Sequence, residues 1–588
     1  LAAGLSVLVV SLFYLVPQMV GAGVLVEPLL GIPHHWGVII VGSVVILIVA
    51  GGGMTSTTYV QLFNGALLLI FAAVLTIAVL LNGVSTDGQV SEEGIEGLES
   101  YQSVEAVVEV SGDTLDVALP GAQIVERHAT TSRYTGEENV VLYRVSRLVP
   151  ATMDDDGGYT ADIKGRTPDF EAYPGEIVAW EVEEVNGSPH IRIEDWWQLV
   201  TREDGTSRLV DAQSRTVLPD GYTLVNGVPE GPENRLRQVG GVSDIPETYG
   251  EETGSVGPLQ LLSVFADRST VVKRPQSVAF MRADGAEVTV YYDDPTAGSV
   301  FMRPGLLFPL EAQPGEPPVT TLLNRLNFIS LMLALFLGTS ALPHVLIRYY
   351  TVRSPEAARK STIVAISGIG LFYILTMFLG VGAMANGALN PETSNMSAPL
   401  LARSFGEVLF AVISGIAFTT VLATVSGLIM AASGAVAHDL MGNLLSRDFS
   451  DDAKVLTGRI VAVVVGIIGI ILGIAFRDMN VSFLVGWAFA VAASANLPAL
   501  LMTLFWKKTT GQAVIASVLV GVISAVGLIL LSPDMWARYG LDPASAPMPL
   551  NQPGIVSIPL SFVVLIGVSL ATADKSQAAD DVEMATAD

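Results

Sequence analysis

Apolar residues follow two different rhythms along this chain. In 1–82 and again in 323–573 they form long runs without charge, and between these stretches they alternate with polar residues and turn signals. A bilayer's hydrocarbon core, about 30 Å thick, takes about 20 apolar residues of helix to cross. Charge-free runs near that length lie at 1–26, 35–50, 57–81, 327–343, 361–391, 408–437, 460–476, 481–506, 512–532 and 554–573. They predict ten membrane-spanning helices, of which the one at 35–50 is short. Gly and Pro recur inside them, which membrane helices tolerate when neighbours satisfy the freed backbone groups.

Residues 83–322 have another texture. VEAVVEVSG at 104–112, NVVLYRVSRLV at 139–149, GEIVAWEVEEV at 175–185, PHIRIEDWWQLV at 189–200 and AEVTVYYDD at 286–294 are rich in β-branched and aromatic residues with partial period-two alternation. DDDGG at 154–158, NGSP at 186–189, EDG at 203–205 and PDG at 219–221 punctuate them as turns. No helical periodicity of useful length competes. The pattern predicts an inserted β-rich domain, with linkers at 83–100 and at the Pro- and Glu-rich 304–322. Trp196 and Trp197 are neighbours on one predicted strand, so they point to opposite faces. That predicts one core and one surface aromatic. Asp154, Asp155 and Asp156 are the kind of cluster that suits Ca²⁺, but EF-hand spacing is absent and three acids before Gly-Gly read more simply as an exposed turn.

Composition then gives the charge an address. The 588 residues carry a formal net charge of −26 and include no cysteine. Residues 83–320 hold 41 Asp and Glu against 17 Lys and Arg, a balance of −24, which leaves −2 for the rest of the chain. Nowhere is there the basic face that a nucleic acid requires. The lack of cysteine excludes disulfides, thiolate zinc sites and cysteine nucleophiles. The six His form no spaced metal cluster, and no nucleophile–base motif marks an enzyme in 83–320.

Orientation follows from Lys and Arg in the short loops. The loop containing Arg348, Arg353, Arg359 and Lys360 shares a side with Arg447, Lys454, Arg459, Lys507 and Lys508, while the opposite short loops hold only Arg403, Arg477 and Arg538. This bias predicts a multi-pass plasma-membrane protein with 83–322 extracytoplasmic and a disordered cytoplasmic tail at 574–588. Leu1 already lies within an apolar run, without a basic segment or a small-residue cleavage site. The start therefore reads as a fragment beginning in mid-membrane rather than as a signal peptide.

Breaks and polar groups inside apolar helices are where transport chemistry belongs. One such place is 338–344, where Gly338 and Pro343 weaken the helix and Thr339 and Ser340 bring hydroxyls that can bind a polar or anionic solute. A kinked packing face of small residues accounts for the same spacing. A second place is 419–426, where Thr420 and Thr424 share a helix face and Ala423 beside them permits close approach. Neutral oxygens of this kind suit Na⁺; the alternative is that these hydroxyls bond their own i−4 carbonyls. His344 is either a proton relay or a packing residue near Arg348, whose head snorkels to the inner interface.

At this point several blocks resemble a known family. FYLVPQMVGAGVLVEPLLGI at 13–32, GGGMTSTTYVQLFNGALLLIFAA at 51–73, GTSALPHVLIRYYTVRSPEAARKS at 338–361, SGAVAHDL at 433–440 and VGWAFAVAASANLPALLMTLFWKKTT at 485–510 resemble the sodium:solute symporter family. The 338–361 block is closest to its acetate (monocarboxylate) permease branch, although Ser340 and Ala341 stand where that branch reads Ala-Gly. The resemblance covers everything outside 83–320. It implies an all-α polytopic membrane protein with a LeuT-like core of ten helices in two inverted repeats. Residues 1–82 resemble core helices three to five, and 323–573 resemble core helices six to ten plus two further helices. The first repeat is then incomplete, and the β-rich insertion at 83–322 departs from the family's pattern.

Carried onto this chain, the resemblance puts the family's second sodium site on Thr420, Ala423 and Thr424 of core helix eight. It puts the solute among Gln18 of core helix three, Gly338, Thr339 and Ser340 of core helix six, and Asn496 of core helix ten. Asn496 precedes Pro498 in an apolar run, so its amide requires a partner. The implied activity is cation-coupled symport of a small monocarboxylate such as acetate. The implied partners are that carboxylate, the coupling cation and the lipid bilayer, with no enzyme chemistry and no cofactor beyond transported Na⁺ or H⁺. Rival readings keep the fold but couple it to protons or change the solute to pyruvate, propionate or an amino acid. Another rival is a transporter-derived sensor that reads a ligand with its β domain.

Overall fold

The computed structural model describes residues 1–30, 32–51, 54–86, 105–111, 114–117, 122–130, 140–153, 159–161, 182–201, 207–231, 234–303, 305, 308, 310, 317–346, 349, 352–440 and 450–586. Ten helices carry the apolar runs: α1 (Ala2–Leu30), α2 (His34–Gly51), α3 (Met54–Asn82), α4 (Pro318–Thr339), α5 (Pro355–Ala385), α6 (Glu407–Gly434), α7 (Asp451–Ala475), α8 (Val481–Phe505), α9 (Gly511–Leu530) and α10 (Gly554–Thr586). Among the described residues nine helices are long and apolar enough to cross a bilayer, and the apolar stretch of α2, His34–Val49, is the short tenth. This is a multi-pass membrane protein with an inserted β-rich domain. Helix starts obey local capping chemistry: the side chains of Ser450, Asn480 and Thr510 accept from the N–H groups of Ala453, Ser482 and Ala513. One expectation differs. The tail from Asp574 is helical through Thr586 as a continuation of α10, because its Ala, Gln, Glu and Met residues propagate a helix that is already nucleated.

The chain divides into two compact units, 1–74 with 305–376 and 408–588, and 75–304 with 377–407. In the first, Leu15, Met19 and Ala22 of α1 meet Val38, Val41 and Val45 of α2, Val425, Leu428 and Ile429 of α6 and Val465 of α7 in one core cluster. Burying apolar side chains gains little in lipid, so close fit and interhelical hydrogen bonds must hold such helices together. Gly466, Gly469 and Gly473 supply the fit, since a Cβ on them would strike Ile46, Leu15 and Met19 respectively. Ser494 of α8 donates to Ser557 of α10 at 2.7 Å, and Ser517 of α9 pairs with Ser561 of α10 at 2.9 Å. The Asn327 side-chain oxygen on α4 accepts from the N–H groups of Asn551 and Gln552 at 2.8 and 3.2 Å.

The second unit is built on two antiparallel sheets. The larger runs β2 (Thr114–Val117), β1 (Glu105–Ser111), β8 (Ser207–Asp211), β7 (Ser188–Thr201), β4 (Val140–Met153) and β3 (Gln123–Thr130), with β5 (Tyr159–Ala161) on β4 and β6 (Val182–Val185) on β7. The smaller runs β11 (Val228–Pro229), β10 (Thr223–Val225), β9 (Gln213–Val217), β14 (Glu287–Ala297), β13 (Val271–Met281) and β12 (Val242–Asp244). The chain passes from one sheet to the other at Ala212, whose N–H bonds Trp196 O at 3.0 Å. Two hairpins turn on Asn-Gly, Asn186–Gly187 and Asn226–Gly227, with positive φ at both residues, the geometry that this dipeptide favours.

Two expectations for this domain are corrected. Trp196 and Trp197 do face opposite ways, yet both are buried, at 2% and 0% exposure. Trp196 packs with Leu142, Val288, Val290 and Tyr292 between the sheets, and Trp197 with Tyr143, Val145 and Leu209 on the other face. Both faces of β7 are covered, which alternation alone does not reveal. A nine-residue helix, Pro258–Ala266, also stands where no helical pattern was expected; Leu261, Val264 and Phe265 are its buried side. Asp154, Asp155 and Asp156 lie outside the described residues.

Candidate functional site

The expected helix break exists. α4 ends at Thr339, Ala341 N bonds Gly338 O at 2.9 Å, and a separate helical turn follows at Pro343–Leu346. A continuous helix would give the Val345 N–H to Ala341 O, but here it goes to Leu342 O at 3.1 Å. Pro343 has no N–H to offer. The Ala341 carbonyl is instead met by Asn496 of α8, whose Nδ2 donates to it at 3.0 Å. The Asn496 Oδ1 in turn accepts from the Ser6 hydroxyl of α1 at 2.5 Å. One amide thus joins α1, α8 and the break, and its orientation is set by an acceptor on one side and a donor on the other.

The surroundings are aromatic and tightly fitted. Gly338 is buried against α8, and a Cβ there would lie 2.5 Å from both Cβ and O of Phe489. Tyr14 stands edge-on to Phe489 at 5.4 Å between ring centroids and stacks on His344 at 5.3 Å. His344 therefore packs on Tyr14, while Arg348 lies outside the described residues. Gln18 is one helical turn beyond Tyr14 on the same face of α1 and is half-buried. Thr339 and Ser340 are exposed, and their hydroxyls donate to Leu335 O at 2.6 Å and Leu337 O at 2.8 Å. In this arrangement they present acceptor lone pairs. To donate to a carboxylate, each must rotate off its own helix.

The second candidate set sits on α6. Thr420 donates to Ile416 O at 2.8 Å and Thr424 to Thr420 O at 3.0 Å, so both hydroxyls make the i−4 bonds of the alternative reading. Ala423 between them is buried, and its carbonyl accepts from Nε2 of Gln61 on α3 at 2.6 Å. The structure thus joins Gly338 and Asn496 to Ser6, Tyr14, His344 and Phe489, and joins Ala423 to Gln61. Ser6 and Gln61 escaped the sequence reading. Gln61 carried a usable signal, an amide inside an apolar helix, whereas Ser6 is one small hydroxyl in a long run.

Comparison with known proteins agrees with this architecture. The model of the sodium:solute symporter family matches residues 1–106 and 311–521, more than half of the chain. The chain is 48% identical over 264 residues to the monocarboxylic acid transporter of Corynebacterium glutamicum, covering 43% of this chain and 47% of that protein. It is 44% identical over 250 residues to the uncharacterized symporter YwcA of Bacillus subtilis, covering 40% of this chain and 48% of that protein. The chain spans about half the length of these curated relatives.

Proposed function

The chain belongs to the sodium:solute symporter family, and from that premise we propose that it moves a small monocarboxylate such as acetate into the cell together with a cation. The observation that carries this reading is the break at 340–342, whose Ala341 carbonyl is held by Asn496 and Ser6. Broken helices with paired backbone ends are how membrane proteins build polar sites in an apolar medium. The solute lies among Gln18, Gly338, Thr339, Ser340 and Asn496, its carboxylate met by hydroxyls turned off their own carbonyls and by helix N-terminal dipoles. Na⁺ takes oxygens of Thr420, Ala423 and Thr424. Because the Gln61 amide already donates to Ala423 O, cation and amide compete for one carbonyl, and binding draws that carbonyl away from Gln61. The Lys and Arg bias puts the β domain outside the cell and the end of α10 inside.

The test is uptake of labelled acetate by the full-length protein in proteoliposomes, driven by an inward Na⁺ gradient or by a proton gradient. Uptake that ignores removal of both gradients ends the cation-coupled reading. Uptake that follows protons alone moves the coupling to H⁺, and competition by pyruvate, propionate and amino acids ranks the solutes. Thr424→Ala, with expression intact, is expected to raise the half-saturating Na⁺ concentration about tenfold, the equivalent of one lost ligand worth about 1.4 kcal/mol. An unchanged Na⁺ dependence removes Thr424 from the site.

A further inference from the structure

All of the β domain between residues 107 and 310 lies outside the family match, and its attachment points to a task. It belongs to one compact unit with residues 377–407 and with α3 from Leu75 onward. On the α3 side, Val256 N donates to Leu80 O at 2.8 Å, Thr253 N to Val84 O at 2.9 Å and Thr86 N to Glu251 O at 3.0 Å, while Val84 N donates back to the Thr253 hydroxyl at 2.9 Å. On the α5 side, Gly241 N donates to Met384 O at 2.7 Å, and Val239 and Leu389 exchange both backbone bonds at 2.8 and 3.2 Å. Arg215 adds an ion pair to Glu392 at 3.1 Å. The third side is closed directly between the helices: Asn82 Nδ2 donates to Asn386 Oδ1 at 3.0 Å, and a Cβ on Gly382 would strike Val79.

Two of these bonds have a special character. The last four carbonyls of a helix lack partners of their own. Leu80 O belongs to that set at the end of α3, and Met384 O, which also accepts from Gly387 N at 3.2 Å, at the end of α5. The β domain therefore supplies N–H donors to the carbonyl ends of two membrane helices. Gly240 and Gly241, at φ of +105° and +115°, let the edge of the smaller sheet come close enough to do so, a conformation open to glycine and hardly to other residues.

We propose that the β domain is a brace that holds the domain-side ends of α3 and α5, with the 386–407 segment, as one body of constant internal geometry while solute and cation come and go. Three closed sides make a triangle, so opening any one of them requires a hinge at another. The proposal rests on the transport reading for the ligands it names, and its test separates the two. Residues 1–588 contain no cysteine, so within them introduced cysteines are the only labelling sites. Nitroxides on Glu251→Cys and Ala398→Cys, both exposed positions, report the distance across the brace by electron–electron resonance. One narrow distance is expected, shifting by less than about 2 Å between ligand-free, Na⁺ and Na⁺-plus-acetate samples; a second population, or a displacement of about 5 Å, overturns the brace. Uptake by the same samples decides the transport reading independently.

Gly241→Pro, which removes the donor to Met384 O and cannot reach the native φ, is expected to broaden the distribution; an unchanged narrow distance in that variant counts against the brace. Val239→Cys with Leu389→Cys is the second arm. A mutually hydrogen-bonded antiparallel pair has its Cα atoms about 5.5 Å apart and its Cβ atoms about 5 Å apart, wide for a direct disulfide but within reach of a one-carbon bis-thiosulfonate linker. The pair is expected to cross-link fully with that linker in every ligand condition. Cross-linking in only one condition, or in none, overturns the proposal.

Discussion

The helical unit and the β domain are stabilised by opposite means. Large apolar side chains of the helices lie exposed, among them Leu62 and Phe63 of α3 and Ile363, Val364 and Tyr373 of α5, while Gly466, Gly469 and Gly473 are spent on interhelical contacts. In the β domain the large side chains are inside and most charges outside, Asp195, Asp211, Arg237 and Asp294 being buried, with Ile124, Val125, Leu259 and Met281 the large apolar exceptions among its described residues. The domain even buries one ion pair. Asp195, fully buried, takes both Nε and Nη2 of Arg147, the latter at 2.9 Å, and accepts from Trp197 Nε1 at 2.6 Å. The difference reflects the solvent. Water drives aromatic burial, whereas lipid rewards only fit and paired polar groups.

The largest expected effect tests the domain's side of this contrast. Trp197→Ala removes a fully buried ring and leaves Asp195 one donor short, at a cost of about 3–5 kcal/mol. Hydrogen exchange resolved by peptide should show faster opening throughout β4, β7 and β8 with α7 unchanged. Acceleration in α7 as well would mean that the two regions unfold as one. On the helical side, Asn496→Ala strands the Ala341 carbonyl and the Ser6 hydroxyl, a loss of about 1–3 kcal/mol. Thermal melting should fall, uptake should drop, and exchange in the β domain should stay at its wild-type rate. Normal melting and uptake would show that the break holds without this amide.

The smallest effect is a pH slope confined to the β domain. Burial pushes the Asp293 carboxyl up to about 6 from its ordinary 3.8, against the opposing pull of Lys273. Between these values the folded chain holds a proton that the unfolded chain has released. This group's contribution to stability is therefore full below pH 3.8, falls as pH rises through the window, and is constant above about 6. Asp293→Asn removes that slope. Melting curves should show the variant gaining on the wild type from pH 4 to pH 6 and no further beyond. A difference that is flat across the window would place Asp293 in water.

Parts of the site were legible because each carried its own local cue. Gly338 and Pro343 announce a break whatever surrounds them, and Asn496 in an apolar run must find a partner. Thr420 and Thr424 show the limit of such cues. Spacing puts both hydroxyls on one face but does not say whether they turn outward or back to Ile416 O and Thr420 O, as they do. Trp196 and Trp197 show it again, since alternation assigns opposite faces and is silent on what covers each.

The sequence by itself determined the apolar helices and the β character of the insertion between them. Bilayer thickness and the two periodicities of 3.6 and 2 are local rules, and ten apolar helices around an acidic β insertion follow from them. Only the tertiary structure decided who pairs with whom. Ser6 reaches Asn496 across 490 residues of chain, Gln61 reaches Ala423 across 362, and Gly241 caps Met384. A buried polar group dictates that a partner must exist, and folding alone brings that partner near.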